Sequence, residues 1–455
     1  IRQYEIQVGG VKMNKITQEN LTDYKYCLQN NSRNEELYKN IVQKGIRQSL
    51  LGERLEFPLM ETFEMRMKDL SVEDQNASGR CWIYAACHMM RQVFIKQHQA
   101  VDFLFSQEYI AFYDLLEKSN FFLNFIIATI QVPDDDRELR EKLNHPVQDA
   151  GQWDLFCNII KKYGMLPQYA MKKNAQSQNT GEMIWILSDM LRSFACQLRG
   201  TYVETRDVSH VMRIRDTQME YVYRFLSICM GMPPDYFDLR IYHDNGRCTE
   251  EKRITPQDFY RRYLPRRLIE EAIPISCVGV NMEPDKTYVI KNLGNVTEGR
   301  RVKYLNLELQ NMKQAMLTQL KAGYPVWFGC DSRMGVDKEQ GILDLNVYKL
   351  DKLEWEFMDK DNRLRYGISC LNHAMVVEGV RISKDNEILS WLVKNSYGNQ
   401  KGNQGYLNMQ DRWLDEYVYE AIIFREYLNE EMIEIYEQAV PVELPSWHPM
   451  GMLAD

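Results

Sequence analysis

The stretch Gln75-Asn76-Ala77-Ser78-Gly79-Arg80-Cys81-Trp82 decides how the rest of this 455-residue chain is interpreted. The apolar residues that follow it recur at helical spacing and predict a helix from about Cys81 to Gln99. A helix N-terminus stabilises a thiolate, so a cysteine that opens a helix is a candidate nucleophile. Gln75 can donate a side-chain N–H to a developing oxyanion, beside the backbone N–H of Cys81.

Two later motifs supply the partners that a nucleophilic cysteine needs. His373 lies in the apolar run Asn372-His373-Ala374-Met375-Val376-Val377, and Asn395 stands before a Ser-Tyr-Gly sequence. A nearby imidazolium stabilises the thiolate, and an asparagine amide orients the imidazole, as in Cys-His-Asn triads. We therefore predict Cys81, His373 and Asn395 as catalytic residues, with Gln75 in the oxyanion hole.

These motifs resemble those of papain-like thiol proteases, but their spacing is different. Papain-type enzymes place the histidine about 130–150 residues after the cysteine, whereas 292 residues separate Cys81 from His373. A gap of this size, together with Gly151-Gln152-Trp153-Asp154 and the C-terminal residues 444–455, resembles the bleomycin hydrolase and bacterial aminopeptidase C family. The resemblance extends from about residue 55 to the end of the chain.

The resemblance implies an α+β fold. The expected architecture is a papain-like two-lobed cysteine protease with a large helical insertion and an extended C-terminal tail in the cleft. The implied function is that of a cytosolic cysteine aminopeptidase, which hydrolyses peptides from the N-terminus through a thiolate–imidazolium pair and an acyl-enzyme. The implied partners are peptide substrates and, in a homohexamer, further copies of the chain. Neither a cofactor nor a metal is expected.

The C-terminal tail is the segment expected to determine which peptide bond of a substrate is cleaved. Pro441, Pro445 and Pro449 predict an extended rather than helical segment. In the family such a tail lies in the cleft, where its terminal carboxylate pairs with the α-ammonium of the peptide, which makes Ala454 and Asp455 the implied substrate-binding residues. Some relatives remove their own last residue, which here would be Asp455. The alternative is a frayed terminus without a role.

Two residues near the predicted triad depart from the family pattern. The family has Glu before the catalytic asparagine and Trp two residues after it, whereas this chain has Lys394 and Tyr397. We expect Tyr397 to shield the hydrogen bond between His373 and Asn395 from water. Lys394 places a positive charge near the triad, so we expect it to alter the pH profile.

The pattern along the chain divides it into five segments. Polar helices come first and amphipathic helices follow, with predicted helices at 106–118, 121–130, 181–198 and 216–230. β-like runs begin near residue 275 and include Val278-Gly279-Val280 and residues 374–380. The predicted segments are 1–54, an N-terminal extension and helical arm; 55–165, a helical lobe with the cysteine helix; 166–273, a helical hook-like insertion for oligomerisation; 274–440, a β-rich lobe with the histidine and asparagine; and 441–455, the tail in the cleft.

The composition argues against several classes of partner. The chain has 56 basic and 64 acidic residues, a formal net charge of −8 and no long basic block, so nucleic acid is not an expected partner. No run reaches the roughly 18 apolar residues of a transmembrane helix, and no signal-peptide pattern is present, so no membrane association is expected. The ten cysteines contain no Cys-x-x-Cys pair, which argues against a zinc site and favours a reducing, cytoplasmic compartment.

Two other classes of function share part of the pattern. Other Cys-His acyl-transfer enzymes, such as arylamine acetyltransferases and transglutaminases, normally use Asp as the third residue and lack this tail, so Asn395 and Gln75 disfavour them. A binding protein that keeps the fold without turnover is disfavoured because all four predicted catalytic groups are present. Selective labelling of Cys81 by a thiol-directed epoxide would separate these alternatives.

Overall fold

The computed structural model describes residues 7–8, 11–12, 14–53, 55–354 and 356–451. The implied substrate-binding residues Ala454 and Asp455 lie outside the described residues. The chain divides into one unit formed by Ile1–Arg54 and Asn346–Phe357, and a second formed by Leu55–Leu345 and Met358–Asp455.

The first unit contains a segment that the sequence did not assign to it. Residues 346–357 fall in the predicted β-rich lobe, but backbone hydrogen bonds join them to the N-terminal helices. Lys349 N–H donates to the Leu50 carbonyl at 2.7 Å, and Leu51 forms an isolated antiparallel bridge with Tyr348. These are contacts between residues about 300 positions apart, which local patterns do not reveal.

The described residues form helices and strands in comparable number, which confirms the α+β expectation. The α-helices are α1 Gln18–Gln29, α2 Ser32–Lys44, α3 Ile46–Leu50, α4 Cys81–His98, α5 Gln107–Ala128, α6 Arg137–Asn144, α7 Trp153–Tyr163, α8 Ala175–Gln178, α9 Gly181–Thr205, α10 Val208–Met230, α11 Pro256–Tyr263, α12 Arg266–Glu270, α13 Leu309–Lys321, α14 Lys360–Arg365, α15 Asp411–Tyr417 and α16 Glu430–Gln438. None of these helices is both long and apolar enough to cross a membrane.

The strands belong mainly to one sheet, which runs in the order β10-β11-β14-β13-β12-β9-β15-β6-β8-β7-β16, with β3 also paired to β12. Their bounds are β1 Gln7–Val8, β2 Val11–Lys12, β3 Met65–Arg66, β4 Phe237–Tyr242, β5 Cys248–Ile254, β6 Ile273–Ser276, β7 Lys286–Ile290, β8 Lys303–Asn306, β9 Val326–Cys330, β10 Val336–Asp337, β11 Ile342–Leu343, β12 His373–Ile382, β13 Ile388–Lys394, β14 Tyr406–Gln410, β15 Val418–Ile423 and β16 Val442–Leu444.

The middle of the sheet is buried on both faces. Along β9 and β12, Trp327 and Val376 belong to the apolar core shared with helices α4, α5 and α7, while Phe328 and Val377 belong to a second core that includes α13. A strand covered on both sides has apolar residues at every position. This burial explains the continuous apolar run after the histidine, and it places β12 against the cysteine helix.

The structure differs from the predicted elements at two places. The predicted helices 106–118 and 121–130 are one continuous helix, α5, in which the buried Ser119 hydroxyl donates to the Leu115 carbonyl at 2.7 Å instead of ending the helix. The predicted strand Val278-Gly279-Val280 is irregular. The N–H groups of Val278 and Gly279 donate to the side chains of Asn306, at 3.0 Å, and Asp361, at 2.8 Å, rather than to a neighbouring strand.

The region predicted as a helical insertion also contains a β-hairpin. Helices α9 and α10 pack against each other and against α5, and the antiparallel pair β4–β5 follows them. Both long helices leave large apolar side chains exposed, including Trp185 at 63% and Ile228 at 77%. Residues 166–273 therefore present apolar surface that no described part of the chain covers.

A close contact joins the cysteine helix to the loop before α7. A Cβ on Gly151 would lie 2.4 Å from Trp82 Cε2, so only glycine fits against this buried indole. Trp82 Nε1 donates to the Asp149 carbonyl at 2.8 Å, and Trp327 Nε1 on β9 donates to the Trp82 carbonyl at 3.3 Å. The residue after the cysteine is therefore fixed by both the helical part and the sheet.

Candidate active site

Cys81 is the first residue of α4 and is fully buried. The backbone N–H of Ala374, at the start of β12, donates to Cys81 Sγ at 3.4 Å. The sulfur therefore lies at a helix N-terminus and accepts a hydrogen bond from the residue next to His373. Both features favour the negatively charged form of the thiol.

His373 and Asn395 are joined by a hydrogen bond. His373 Nε2 lies 2.9 Å from Asn395 Oδ1, and the same oxygen accepts the Ser396 N–H at 2.8 Å. Because a carbonyl oxygen only accepts, the imidazole proton is on Nε2 and Nδ1 carries a lone pair. The neutral ring is thus the tautomer that can take a proton from a thiol through Nδ1.

Gln75 is held against the asparagine motif. Its backbone N–H donates to the Ser396 carbonyl at 2.8 Å, and its side-chain Oε1 accepts the Ser396 hydroxyl at 2.5 Å. Its Nε2 donates to the Ser78 carbonyl at 2.6 Å, and this nitrogen has a second N–H that can be directed at an oxyanion. Ser396 thus connects the predicted oxyanion donor to the predicted triad, a role that the motif alone did not indicate.

Tyr397 covers the imidazole. Its ring stacks on that of His373 with centroids 5.2 Å apart and an interplanar angle of 23°. Its backbone forms a bridge with Asp74, one residue before Gln75. An aromatic ring in this position excludes water from one face of the imidazole.

Lys394 is held by other groups. Its ammonium donates to the Leu70 carbonyl at 2.6 Å, lies 3.6 Å from the centre of the Tyr406 ring and 3.7 Å from Asp69. Burial lowers the pKa of Lys394, while the carboxylates of Glu378 and Asp69 act to raise it. Its expected effect on the pH profile stays a prediction, and these contacts give it a structural role as well.

A buried guanidinium anchors the start of the cysteine helix. Arg80 directly precedes Cys81, is 1% exposed, and forms ion pairs at 3.0 Å with both Glu108 on α5 and Asp149. Asp149 also accepts the Thr180 hydroxyl at 2.7 Å. Sequence reading missed this network. The only available signal was an arginine between Gly79 and the cysteine.

The pKa of the histidine depends on its surroundings. Burial lowers the pKa of His373 to about 4, although the hydrogen bond to Asn395 acts to raise it, and the charge of Lys338 lowers it further. The imidazolium at neutral pH therefore requires a compensating anion. The only group in the predicted triad that can provide this charge is the Cys81 thiolate.

A cysteine at a helix N-terminus, whose sulfur contacts the strand that begins with a histidine hydrogen-bonded to an asparagine, is the arrangement of a cysteine peptidase of the papain type. The profile of the Peptidase C1-like family matches residues 15–451, so the chain belongs to that family. It is 36% identical over 397 residues to Aminopeptidase C of Lactobacillus delbrueckii subsp. lactis, covering 86% of this chain and 88% of that protein.

Two further relatives support the same assignment. The chain is 33% identical over 396 residues to the Bleomycin hydrolase of Homo sapiens, covering 84% of this chain and 86% of that protein. The crystal structure of PepW from Lactobacillus rhamnosis HN001 superposes with a TM-score of 0.90 at 33% identity, covering 97% of this chain and 99% of that one. The similarity thus includes the helical insertion as well as the catalytic lobes.

We expect Cys81→Ala to leave His373 neutral at pH 7, because burial lowers the pKa of His373 to about 4 and the variant has no thiolate to stabilise the cation. In the wild type, the imidazolium should persist at pH 7. NMR of the imidazole carbons across a pH titration measures both. Since the unfolded histidine titrates near 6.5, the stability of the variant should fall as the pH drops from about 6.5 towards 4. An imidazolium at pH 7 in Cys81→Ala would contradict this coupling.

Proposed function

We propose that this chain is a cysteine aminopeptidase in which Cys81 is the nucleophile and His373 the general base and acid. The observation that carries the proposal is the hydrogen bond from His373 Nε2 to Asn395 Oδ1, which leaves Nδ1 as the proton acceptor beside the residue that contacts the Cys81 sulfur. The relatives named Aminopeptidase C and Bleomycin hydrolase support peptide hydrolysis from the N-terminus.

The acylation step follows from these positions. His373 Nδ1 takes the thiol proton, and the Cys81 thiolate attacks the peptide carbonyl carbon to form a C–S bond. The oxyanion accepts hydrogen bonds from the Cys81 backbone N–H and from Gln75 Nε2. As the C–N bond breaks, the imidazolium returns its proton to the leaving amine. Asn395 orients the ring throughout and takes no proton.

Deacylation reverses these roles. His373 accepts a proton from a water molecule whose oxygen attacks the thioester carbon. The resulting tetrahedral intermediate uses the same two oxyanion donors, and its collapse breaks the C–S bond. The released acid is the N-terminal residue of the peptide, and the thiolate–imidazolium pair is regenerated.

The tail sets the point of cleavage in this proposal. The terminal carboxylate, carried by Asp455 or by Ala454 after removal of Asp455, pairs with the α-ammonium of the bound peptide. That pairing allows one residue between the peptide N-terminus and the scissile bond. The described part of the tail supports this role, because Met450 is fully buried and its carbonyl accepts a hydrogen bond from Gln152 Nε2 at 3.2 Å.

The cellular setting and assembly complete the proposal. None of the ten cysteines, all within the described residues, forms a disulfide, which supports a reducing, cytosolic compartment. The chain forms a homohexamer with active sites facing an inner cavity, and residues 166–273 supply subunit contacts. The exposed apolar side chains on α9 and α10 support this role, because such surface is rare on monomers.

We expect Cys81→Ala to abolish turnover of aminoacyl fluorogenic amides with the fold intact, and His373→Ala to cost nearly as much. Asn395→Ala should cost less, because Asn395 only orients the histidine. Gln75→Ala should lower kcat about a hundredfold, as for loss of one oxyanion donor. Cys87→Ala, another buried thiol on α4, is the matched control and should remain active. Wild-type turnover in Cys81→Ala would rule out the proposed nucleophile.

Deleting residues 452–455 should reduce the preference for substrates with a free N-terminus. Free-amine substrates lose the carboxylate that holds their ammonium, a charge-assisted pair of about 1.5–3 kcal/mol, so their kcat/KM should fall by about one to two decades. N-blocked and longer peptides should gain, because the cleft is opened. Paired assays of acetylated and free substrates measure both changes. An unchanged preference for free N-termini would show that the tail has only a structural role.

The wild-type protein should be a closed hexamer by light scattering at micromolar concentration. Trp185→Glu with Ile228→Glu should dissociate it, because both side chains are exposed on the helices proposed as interfaces. Val440→Glu, at a side chain that is 91% exposed outside that region, is the control and should leave the mass unchanged. A monomer near 54 kDa for the wild type would refute the assembly and the interface role of residues 166–273.

A further inference from the structure

A cavity of about 1060 Å³ lies beside the candidate active site, in the second unit of the chain. One wall is formed by residues 71–74, which lead directly into Gln75, and the other walls come from residues 102–104, residues 167–173 and strand β4. Asp74 in the first wall forms the backbone bridge with Tyr397, whose ring stacks on His373. The cavity therefore shares a wall with the candidate catalytic groups, and its size suits a short peptide.

Lys173 places an ammonium group next to this shared wall. Its Nζ donates to the Asp74 carbonyl at 2.7 Å and lies 4.6 Å from the centre of the Tyr84 ring, three residues after Cys81 on α4. An ammonium group has three N–H donors, and the Asp74 carbonyl is the acceptor it contacts among the described residues. Lys173 can therefore donate to a ligand in the cavity while it holds the residue before Gln75.

Two further cations line the same cavity. Lys172 is exposed, and among the residues that the structure describes it makes no hydrogen bond or ion pair. Arg240 on β4 has only an exposed ion pair with Glu250 at 3.3 Å, a kind of contact that contributes little. Tyr169 and Tyr242, 48% and 57% exposed, add aromatic surface for the side chains of a peptide.

Two carboxylates of the cavity are held by side chains of the fold. Asp102 pairs with the buried guanidinium of Arg91 at 2.6 Å. The two carboxylate oxygens of Glu73 accept the side-chain amides of Gln107 and Gln168, at 2.6 and 2.7 Å. Burial raises the pKa of Glu73, although the charge of Lys173 acts to lower it. Both groups thus have partners within the protein.

The other two carboxylates accept backbone N–H groups. Asp74 accepts the Asn76 N–H at 2.8 Å, and Asp238 accepts the Arg253 N–H at 2.9 Å. All four carboxylates are therefore hydrogen bonded within the fold, whereas the donors of the cavity's cations are mostly unused. A site with spare cationic donors fits a carboxylate ligand, because charge-assisted hydrogen bonds to carboxylates are strong.

We propose that this cavity binds the C-terminal carboxylate of the peptide substrate, through Lys172, Lys173 and Arg240. The inference rests on the proposed aminopeptidase function, in which all of the peptide after its first residue is the leaving group and needs a place beyond the scissile bond. The chain from Gln75 back to residue 71 spans at most about 14 Å. A leaving peptide of about two to four extended residues covers the same distance. The favoured substrates are therefore peptides of about three to five residues with a free C-terminus.

The experiment compares tetrapeptides that differ only at the C-terminus. One tetrapeptide without charged side chains is assayed as the free acid and as the C-terminal amide, and a third carries Glu as an amidated last residue. Lys172→Met and Lys173→Met remove the cations, and Lys173→Arg keeps the charge. Lys252→Met is the matched control, because Lys252 is exposed on the neighbouring strand β5 and does not line the cavity.

We expect the wild type to favour the free acid over the amide about tenfold in kcat/KM, mainly through KM. Lys173→Met should reduce this preference to about twofold, and Lys172→Met, which removes a more exposed cation, should about halve it. Lys173→Arg should restore most of the preference, and Lys252→Met should match the wild type. Calorimetry with Cys81→Ala should show tighter binding of the acid than of the amide.

The outcomes separate the carboxylate site from the proposed function. If the wild type does not hydrolyse aminoacyl fluorogenic amides, the aminopeptidase function itself is wrong. If it hydrolyses them but treats the tetrapeptide acid and amide alike, only the carboxylate site is wrong. An equal loss of acid and amide turnover in folded Lys173→Met would show that Lys173 only holds Asp74. A preference for the amidated Glu peptide as large as that for the acid would overturn the assignment to the peptide C-terminus.

Discussion

The buried ion pairs of Arg80 are the constraint on which the site depends. The guanidinium joins Glu108 on α5 to Asp149 in the loop before α7, and the next residue in the chain is the candidate nucleophile. Burying three charges stabilises a fold little, because desolvation offsets most of their attraction, but removing one partner from such a set costs about 3–5 kcal/mol. The main effect of the network is therefore to position the N-terminus of α4. It ties the N-terminus of α4 to the surrounding helices, and the start of β12 then meets the sulfur there.

The candidate catalytic groups come together because the sheet brings distant segments into register. His373 opens β12, Asn395 follows β13, and these strands pair antiparallel with Val376 opposite Lys394. The turn between them lies at the far end, so the histidine and asparagine meet where one strand begins and the other ends. Ser396 then links this end of the sheet to Gln75 through its hydroxyl and its carbonyl. One hydrogen-bonded network therefore orients the imidazole of His373 and also places the side chain of Gln75.

The sequence predicted what is local and missed what is long-range. The cysteine helix, the strand after the histidine and the long helices of the insertion follow from apolar periodicity, and their bounds agree within a few residues except at the C-terminal end of α9 and the N-terminal end of α10. The four candidate groups were recognised because their motifs are short and ordered. The Arg80 network, the Ser396 bridge and the pairing of residues 346–357 with the N-terminal helices involve partners far apart in sequence. The Val278 segment was misjudged for the same reason, since side chains from two other segments take its N–H groups.

In the proposed function, selectivity and chemistry are carried by different parts of this chain. The thiol, imidazole and amide would cleave any peptide bond placed beside them, and nothing in their geometry distinguishes a terminal from an internal bond. A limit on peptide length must come from something that blocks the cleft at a fixed distance from the sulfur. The described part of the tail supports this proposal, because it pairs in parallel with β7 and then forms a buried turn held by His448 and Gln152. Gln152 is the N-cap of α7 and follows Gly151, which packs against Trp82. The same junction therefore contacts both the cysteine helix and the described part of the tail. A change in that junction would therefore move the described part of the tail relative to the cysteine helix and leave the hydrogen bond between His373 and Asn395 in place.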